Sequence, residues 1–253
     1  MIKFFRRIRH NLLTELLAGR AGNNLSKYIL YAIGEIILVV VGILIALSIN
    51  NWNDERKKAN LKSNYIESLK RDLSADMAYF KTQIANDSID LAKMLSFSKR
   101  LSGARATMDT LVQIARYEFL PFTDINNALN MSTYNSLIAT GNINVFSRST
   151  SESLLQFNTM QLNANSMIDR NDELYFNSVV VYRNKYPLNS ERNGINGQFM
   201  DSFWTSLDEN ILKSDFNGVL TAKIGMLDNS IKGRTELLLK TADMLAELRN
   251  MTN

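Results

Sequence analysis

Apolar positions along the chain follow two different rules. Residues 30 to 49, LYAIGEIILVVVGILIALSI, are apolar without period: thirteen of the twenty are Leu, Ile or Val, and Glu35 is the one charge. From Asn50 polar residues take over, and apolar side chains then recur mostly every three or four positions as Leu61, Tyr65, Leu69, Leu73, Met77, Phe80, Ile84, Ile89, Leu91 and Leu95. No proline interrupts this stripe, so it predicts one long amphipathic helix. A second stripe runs through Leu212, Phe216, Leu220, Ile224, Leu227, Ile231, Leu238, Ala242, Leu245 and Leu248. Gly218, Gly225 and Gly233 weaken it locally without breaking its period.

Shorter helices are predicted between the two stripes. One covers 105–118, ended before Pro121. The next covers 124–139, capped by Asp124 and ended by Gly141. A third covers 148–184, capped by Ser149 or Ser151 and ended before Pro187. Residues 185–197, KYPLNSERNGING, carry the turn formers of a loop. Each helix has one apolar stripe to bury, so the expected fold is all-α: a single N-terminal transmembrane helix continuing into an extracytoplasmic antiparallel helical bundle. Three divisions follow: a basic amphipathic leader over 1–29, a transmembrane helix over 30–49 and a helical domain over 50–253.

The aperiodic run carries the membrane reading. At about 1.5 Å per residue a helix of that length spans roughly 30 Å, the hydrocarbon thickness of a bilayer. Its branched aliphatics contribute about −4 to −8 kcal/mol of insertion free energy in sum, against roughly +3 for a carboxylate near the middle. Tyr28 and Tyr31 at one end and Trp52 at the other place amphipathic rings where headgroups would lie. The run is longer than the apolar core of a cleaved signal sequence, which makes it an uncleaved anchor despite the small Ala46 and Ser48.

Charge changes the picture in one respect. The chain has 253 residues and a net charge of +4, which invites a nucleic-acid reading. Residues 1 to 29 hold six Lys or Arg against Glu15, a net of +5, and residues 50 to 253 hold 23 basic and 23 acidic residues. The large domain is therefore neutral and has no basic excess with which to displace counterions from a duplex, so no nucleic-acid partner is expected. The leader places Ile2, Phe5, Ile8, Leu12, Leu13 and Leu16 on one side of a helix, with Lys3, Arg6, Arg7 and Arg9 mostly elsewhere, a pattern that suits an anionic leaflet. Its cations set the N-terminus in the cytoplasm and the large domain in the periplasm, although Arg56, Lys57, Lys58 and Lys62 pull the other way.

Candidate chemistry is sparse. The chain has no cysteine and one histidine, His10, which removes thiolate metal sites, cysteine nucleophiles and histidine triads. Nucleotide-binding glycine motifs, zinc-protease and calcium-loop patterns and the G-x-S-x-G nucleophile pattern are all missing. Neither catalytic residues nor a cofactor nor a metal is expected. Asp169, Asp172 and Glu173 share one turn of the third predicted helix and read as a solvated face, with a cation site or pairing with Arg170 as the alternative. Glu191, Asp201 and Asp208 surround Phe203 and Trp204 near the loop, a candidate pocket rim.

Glu35 stands out, because a carboxylate inside an apolar span is costly and marks function by default. It shares a helix face with Gly42, Ala46 and Ile49, and Gly42-xxx-Ala46 is a small-xxx-small pair that lets a second helix approach. The expected partner there is another copy of the chain.

Three stretches carry a resemblance: Tyr31-Ala-Ile-Gly-Glu35 through Ile49-Asn-Asn-Trp-Asn-Asp-Glu-Arg-Lys57, then Tyr65-Ile-Glu-Ser-Leu-Lys-Arg-Asp-Leu73, and Tyr134-Asn-Ser-Leu-Ile-Ala-Thr-Gly-Asn-Ile143. Together they resemble an uncharacterised family of short membrane proteins from Bacteroidota-type bacteria, domain of unknown function 6090. The resemblance implies a bacterial inner-membrane protein, covers nearly the whole chain and brings no catalytic residues with it. Asn50, Asn51, Trp52 and Asn53 match the family string as an interfacial collar, and Asn142 and Asn144 beside Gly141 offer amides to a binding corner.

The functional expectation is a non-enzymatic single-pass protein in contact with the lipid bilayer. It would bind an unidentified protein partner as a scaffold, or serve as an accessory or sensor subunit. The competing expectation is an oligomeric subunit of an ion- or proton-coupled assembly that uses Glu35.

Overall fold

The computed structural model describes residues 24–122, 128–188 and 194–251, with side chains from residue 31 onward. Residues 1–23 of the predicted basic leader, the side chain of Tyr28, the Asp124 cap and Glu191 lie outside the described residues. Every regular element among the described residues is helical, and the chain divides into two compact units, Met1–Ala59 and Asn60–Asn253.

Helix α1, Asn24–Leu101, contributes to both units. In the first, residues 31 to 49 project their side chains outward. The large aliphatics from Ile33 to Ile49 are 46% to 63% exposed, and none of the most apolar window of the helix is buried. The helix is long and apolar enough to cross a membrane.

In the second unit α1 packs with two further long helices, α4 (Arg148–Lys185) and α6 (Glu209–Asn250). Their pairings fix direction. Lys185 and Tyr186 meet Asp215, while Asn171 meets Met226 and Asn229, so α4 and α6 run antiparallel. Asp90 faces Lys223 and Asp87 faces Arg234, so α1 is antiparallel to α6 as well. The all-α bundle expected from the two stripes is the observed fold.

Shorter elements fill the connections. Helix α2 (Met108–Gln113) starts at Thr107, which makes a capping box with Thr110, and continues as a π-helical turn to Glu118. Helix α3 (Ser132–Ala139) is shorter than the predicted 124–139. The residues before it are claimed by α1: Asp76 Oδ1 accepts from the backbone N–H and the side-chain amide of Asn130, at 3.1 and 2.7 Å, which holds the segment off a helical path. Met131, the residue before α3, supplies no side-chain cap, and Asp72 Oδ2 accepts from Thr133 N–H at 3.3 Å in its place. Gly141 then takes the left-handed conformation, φ 69°, that the sequence assigned to this helix end. Ser147 rather than Ser149 or Ser151 caps α4, accepting from Thr150 N–H at 3.2 Å. Helix α5 (Gln198–Thr205) lies beyond the loop, and Asp208 caps α6 through the N–H groups of Asn210 and Ile211.

Burial is layered. One apolar cluster gathers Ile66, Leu69, Leu73, Leu137, Phe146, Leu154 and Leu248, a second Phe80, Ile168 and Leu237, and a third, rich in aromatics, holds Phe119, Tyr182, Tyr186, Trp204 and Phe216. Polar residues occupy the intervening positions on each helix. Asp76, Gln161 and Thr241 fall between the first two clusters, and Asp87, Asp172, Ser230 and Arg234 between the second and third.

Candidate functional site

The second polar layer opens into a cleft of about 380 Å³ walled by all three long helices. On α1, Asp87 and Asp90 are one turn apart and face it together; α4 contributes Asp172, and α6 contributes Ser230 and Arg234. Phe122 closes one side and belongs to a non-helical strap described over residues 119–122.

That strap explains how irregular backbone is tolerated between helices. Its carbonyl groups are taken up by side chains from both neighbours. Lys223 Nζ on α6 donates to Leu120 O at 2.6 Å and Phe122 O at 3.4 Å, and Tyr175 on α4 donates its hydroxyl to Pro121 O at 2.7 Å.

Two cations of α6 face carboxylates of α1. Arg234 pairs with Asp87, and Lys223 lies 3.8 Å from Asp90. Burial pushes the Asp87 carboxyl above the usual carboxylate range; Arg234 pulls it back, and the nearby Asp172 and Asp90 raise it further. Burial lowers the Lys223 ammonium, with Asp90 opposing the shift. Burial raises the Tyr175 hydroxyl, and Asp90 adds to it. These pairs tie α1 to α6, and the Ser230 hydroxyl reaches Asp172 of α4 at 3.5 Å. Among the described residues no group of three carboxylate or histidine side chains converges tightly enough to hold a metal ion.

Sequence reasoning missed Lys223 and Arg234, yet a signal was there. Positions 216, 220, 223, 227, 230, 234 and 237 form one buried stripe of α6, so two cations sit at core register positions. Cations there require buried carboxylates opposite, and Asp87 sits at the matching register of α1.

The residues singled out from the sequence fall in separate places. Glu35, Gly42 and Ala46 lie on the exposed surface of the first part of α1, where a Cβ added at Gly42 would meet nothing within 4 Å. Tyr31 is half-buried, and Trp52 is exposed with the Arg56 guanidinium 5.9 Å from its ring centre. Asn142 donates its amide to the Tyr65 hydroxyl at 2.9 Å, and Tyr65 also meets Thr140 at 3.4 Å. The second and third stretches of the resemblance therefore touch, and their contact ties the Gly141 corner to α1. Those hydrogen bonds, Thr140 first and then Asn142 and Ser136, lower the Tyr65 hydroxyl from its ordinary value. Asn144 is exposed.

Phe203 is half-buried and meets Trp204 edge-on, with ring centres 6.2 Å apart. Trp204 is only 4% exposed, so its ring belongs to the aromatic cluster, which does not include Asn142 and Asn144. Of the acidic trio, Asp172 turns into the cleft, Asp169 accepts from the Asn165 amide at 2.9 Å, and Glu173 faces outward.

Among known proteins, a family described as a family of unknown function (DUF6090) matches residues 35–230. No curated protein and no solved structure matches the chain.

Proposed function

Since the chain belongs to the family of unknown function DUF6090, we propose that it works as a non-enzymatic, single-pass protein of the bacterial inner membrane. Its bundle serves as a partner-binding scaffold or as an accessory or sensor subunit. Residues 30–49 cross the bilayer, the N-terminus is cytoplasmic, and the domain over 50–253 is periplasmic.

One observation carries this reading. The most apolar window of α1 has none of its residues buried, whereas an apolar helix in the core of a water-soluble protein is mostly buried. Left in water, that many exposed aliphatics would cost far more than the single carboxylate costs in lipid. Sodium carbonate washing of cell membranes tests the assignment: the full-length chain should stay in the pellet, and its release into the wash would end the proposal. Protease protection of a C-terminal tag in spheroplasts reads the sidedness, and digestion from outside is the expected result.

The open face of Glu35, Gly42 and Ala46 supports pairing with a second copy, because small residues there let backbones approach closely. The same residue supports the competing reading, a subunit of an ion- or proton-coupled assembly. Glu35→Gln separates the two. A scaffold keeps its assembly and its phenotype in this variant, and a proton-coupled subunit loses coupled transport.

A further inference from the structure

A second recess lies where the end of α4 faces α5. It encloses about 480 Å³ and is walled by Pro187, Ile195, Phe199 and Phe203, with Arg183 and Lys185 at its lip. That volume and this mostly apolar lining match small-molecule sites, which span roughly 300–1,000 Å³ and carry a few placed polar groups. Phe199 is 78% and Ile195 61% exposed, a large apolar area left to water at the mouth.

The electrostatics are one-sided. Among the described residues no carboxylate lines the recess. Lys185 reaches Asp215 at 3.0 Å but remains half exposed. Arg183 makes no ion pair among the described residues; its guanidinium lies 5.0 Å from the Phe122 ring centre, and a guanidinium held near a ring can still offer N–H donors to an anion.

We propose that this recess binds a single-chain amphiphile with an anionic head, a free long-chain carboxylate, whose tail packs on Pro187, Ile195, Phe199 and Phe203 while Arg183 pairs with its head. An apolar wall takes a hydrocarbon tail, a guanidinium takes a carboxylate in two parallel hydrogen bonds, and the cationic lip disfavours an amine head. The inference goes beyond the scaffold reading and is carried by different residues.

The test uses the full-length chain in phosphatidylcholine nanodiscs, titrated with a fluorescent dodecanoate, with empty discs as the reference. One saturable site per chain is expected above the empty-disc signal. Arg183→Glu and Phe199→Asp should each weaken binding about tenfold or more, and dodecyltrimethylammonium should compete at least about tenfold less well than dodecanoate. Both side chains are exposed, so the variants should keep wild-type helical circular dichroism; if Arg183→Glu does not, Arg183→Gln takes its place. Three outcomes overturn the proposal: no saturable signal above empty discs, unchanged affinity in both variants, or equal competition by the cationic amphiphile.

Discussion

Helix α1 passes through two environments that invert the usual relation between polarity and exposure. Between residues 33 and 49 its apolar side chains point outward and find nothing to pack on, whereas further along the same helix Asp76 is almost fully buried and Asp87 is held among helices. Hydropathy alone would place both segments wrongly for a water-soluble protein. The difference lies in what surrounds each one. In the second segment donors from other elements reach these carboxylates: Asn130 donates to Asp76 Oδ1, and Arg234 pairs with the half-buried Asp87. In the first, none of the described residues covers the aliphatics, and a lipid phase would.

The sharpest way to break the comparison is to remove the counter-charge. Arg234→Ala leaves the half-buried Asp87 without its ion-pair partner and should cost about 3 kcal/mol of unfolding free energy, read by urea titration. Replacing the pair together, as Asp87→Leu with Arg234→Met, should recover most of that loss and can exceed wild type. If the single variant is near neutral, the layer is wetter than described and Asp87 is not a core residue.

A charge placed in the other segment should act on a different observable. Val40→Lys adds about 3 kcal/mol to the cost of insertion at mid-span, which should lower the membrane-bound fraction while leaving the urea midpoint of the bundle unchanged. A fall in the midpoint instead would mean that Val40 packs against protein.

Next in size is the borrowed cap. Asp72→Ala removes the acceptor for Thr133 N–H and should cost about 1 kcal/mol, with amide exchange rising first in Ser132–Ala139.

The smallest effect is the pH dependence. Burial, partly offset by the Asn130 hydrogen bonds, holds the Asp76 carboxyl above its usual range. A carboxyl raised on folding contributes stability that is fully present below its unfolded value of about 4 and is lost as pH rises through its folded value. Wild type should therefore lose stability relative to Asp76→Asn as pH is raised from about 4 toward neutrality. An unchanged difference across that range would show that Asp76 titrates alike in the folded and unfolded chains.

Much of this architecture was legible in the sequence, and the rest failed for identifiable reasons. Both long stripes, the extent of α4 and the left-handed Gly141 follow from period, proline and glycine. The stripe of α1 was misread near its end: Ile89 and Leu95 are exposed, while Met94 and Phe97 are buried. A register that passes through Asp87 was invisible as long as carboxylates were counted as surface, and it becomes visible once Arg234 is placed on the buried stripe of α6. The late start of α3 depends on Asp76, a partner more than fifty residues away in sequence, which no local propensity reports. Phe203 and Trp204 looked alike as a pair beside the loop, yet one lines a recess and the other fills a core, a division set by α5 packing on the aromatic cluster.

Lys223 adds a practical consequence. Its ammonium is enclosed at 2% side-chain exposure and spends its hydrogen bonds on the strap carbonyls. An acylating reagent that needs the free amine can reach it only when strap and helix part. The rate at which this one lysine becomes labelled is thus a native clock for the opening of that end of the bundle, read by mass spectrometry against the fast-reacting surface lysines of the same chain.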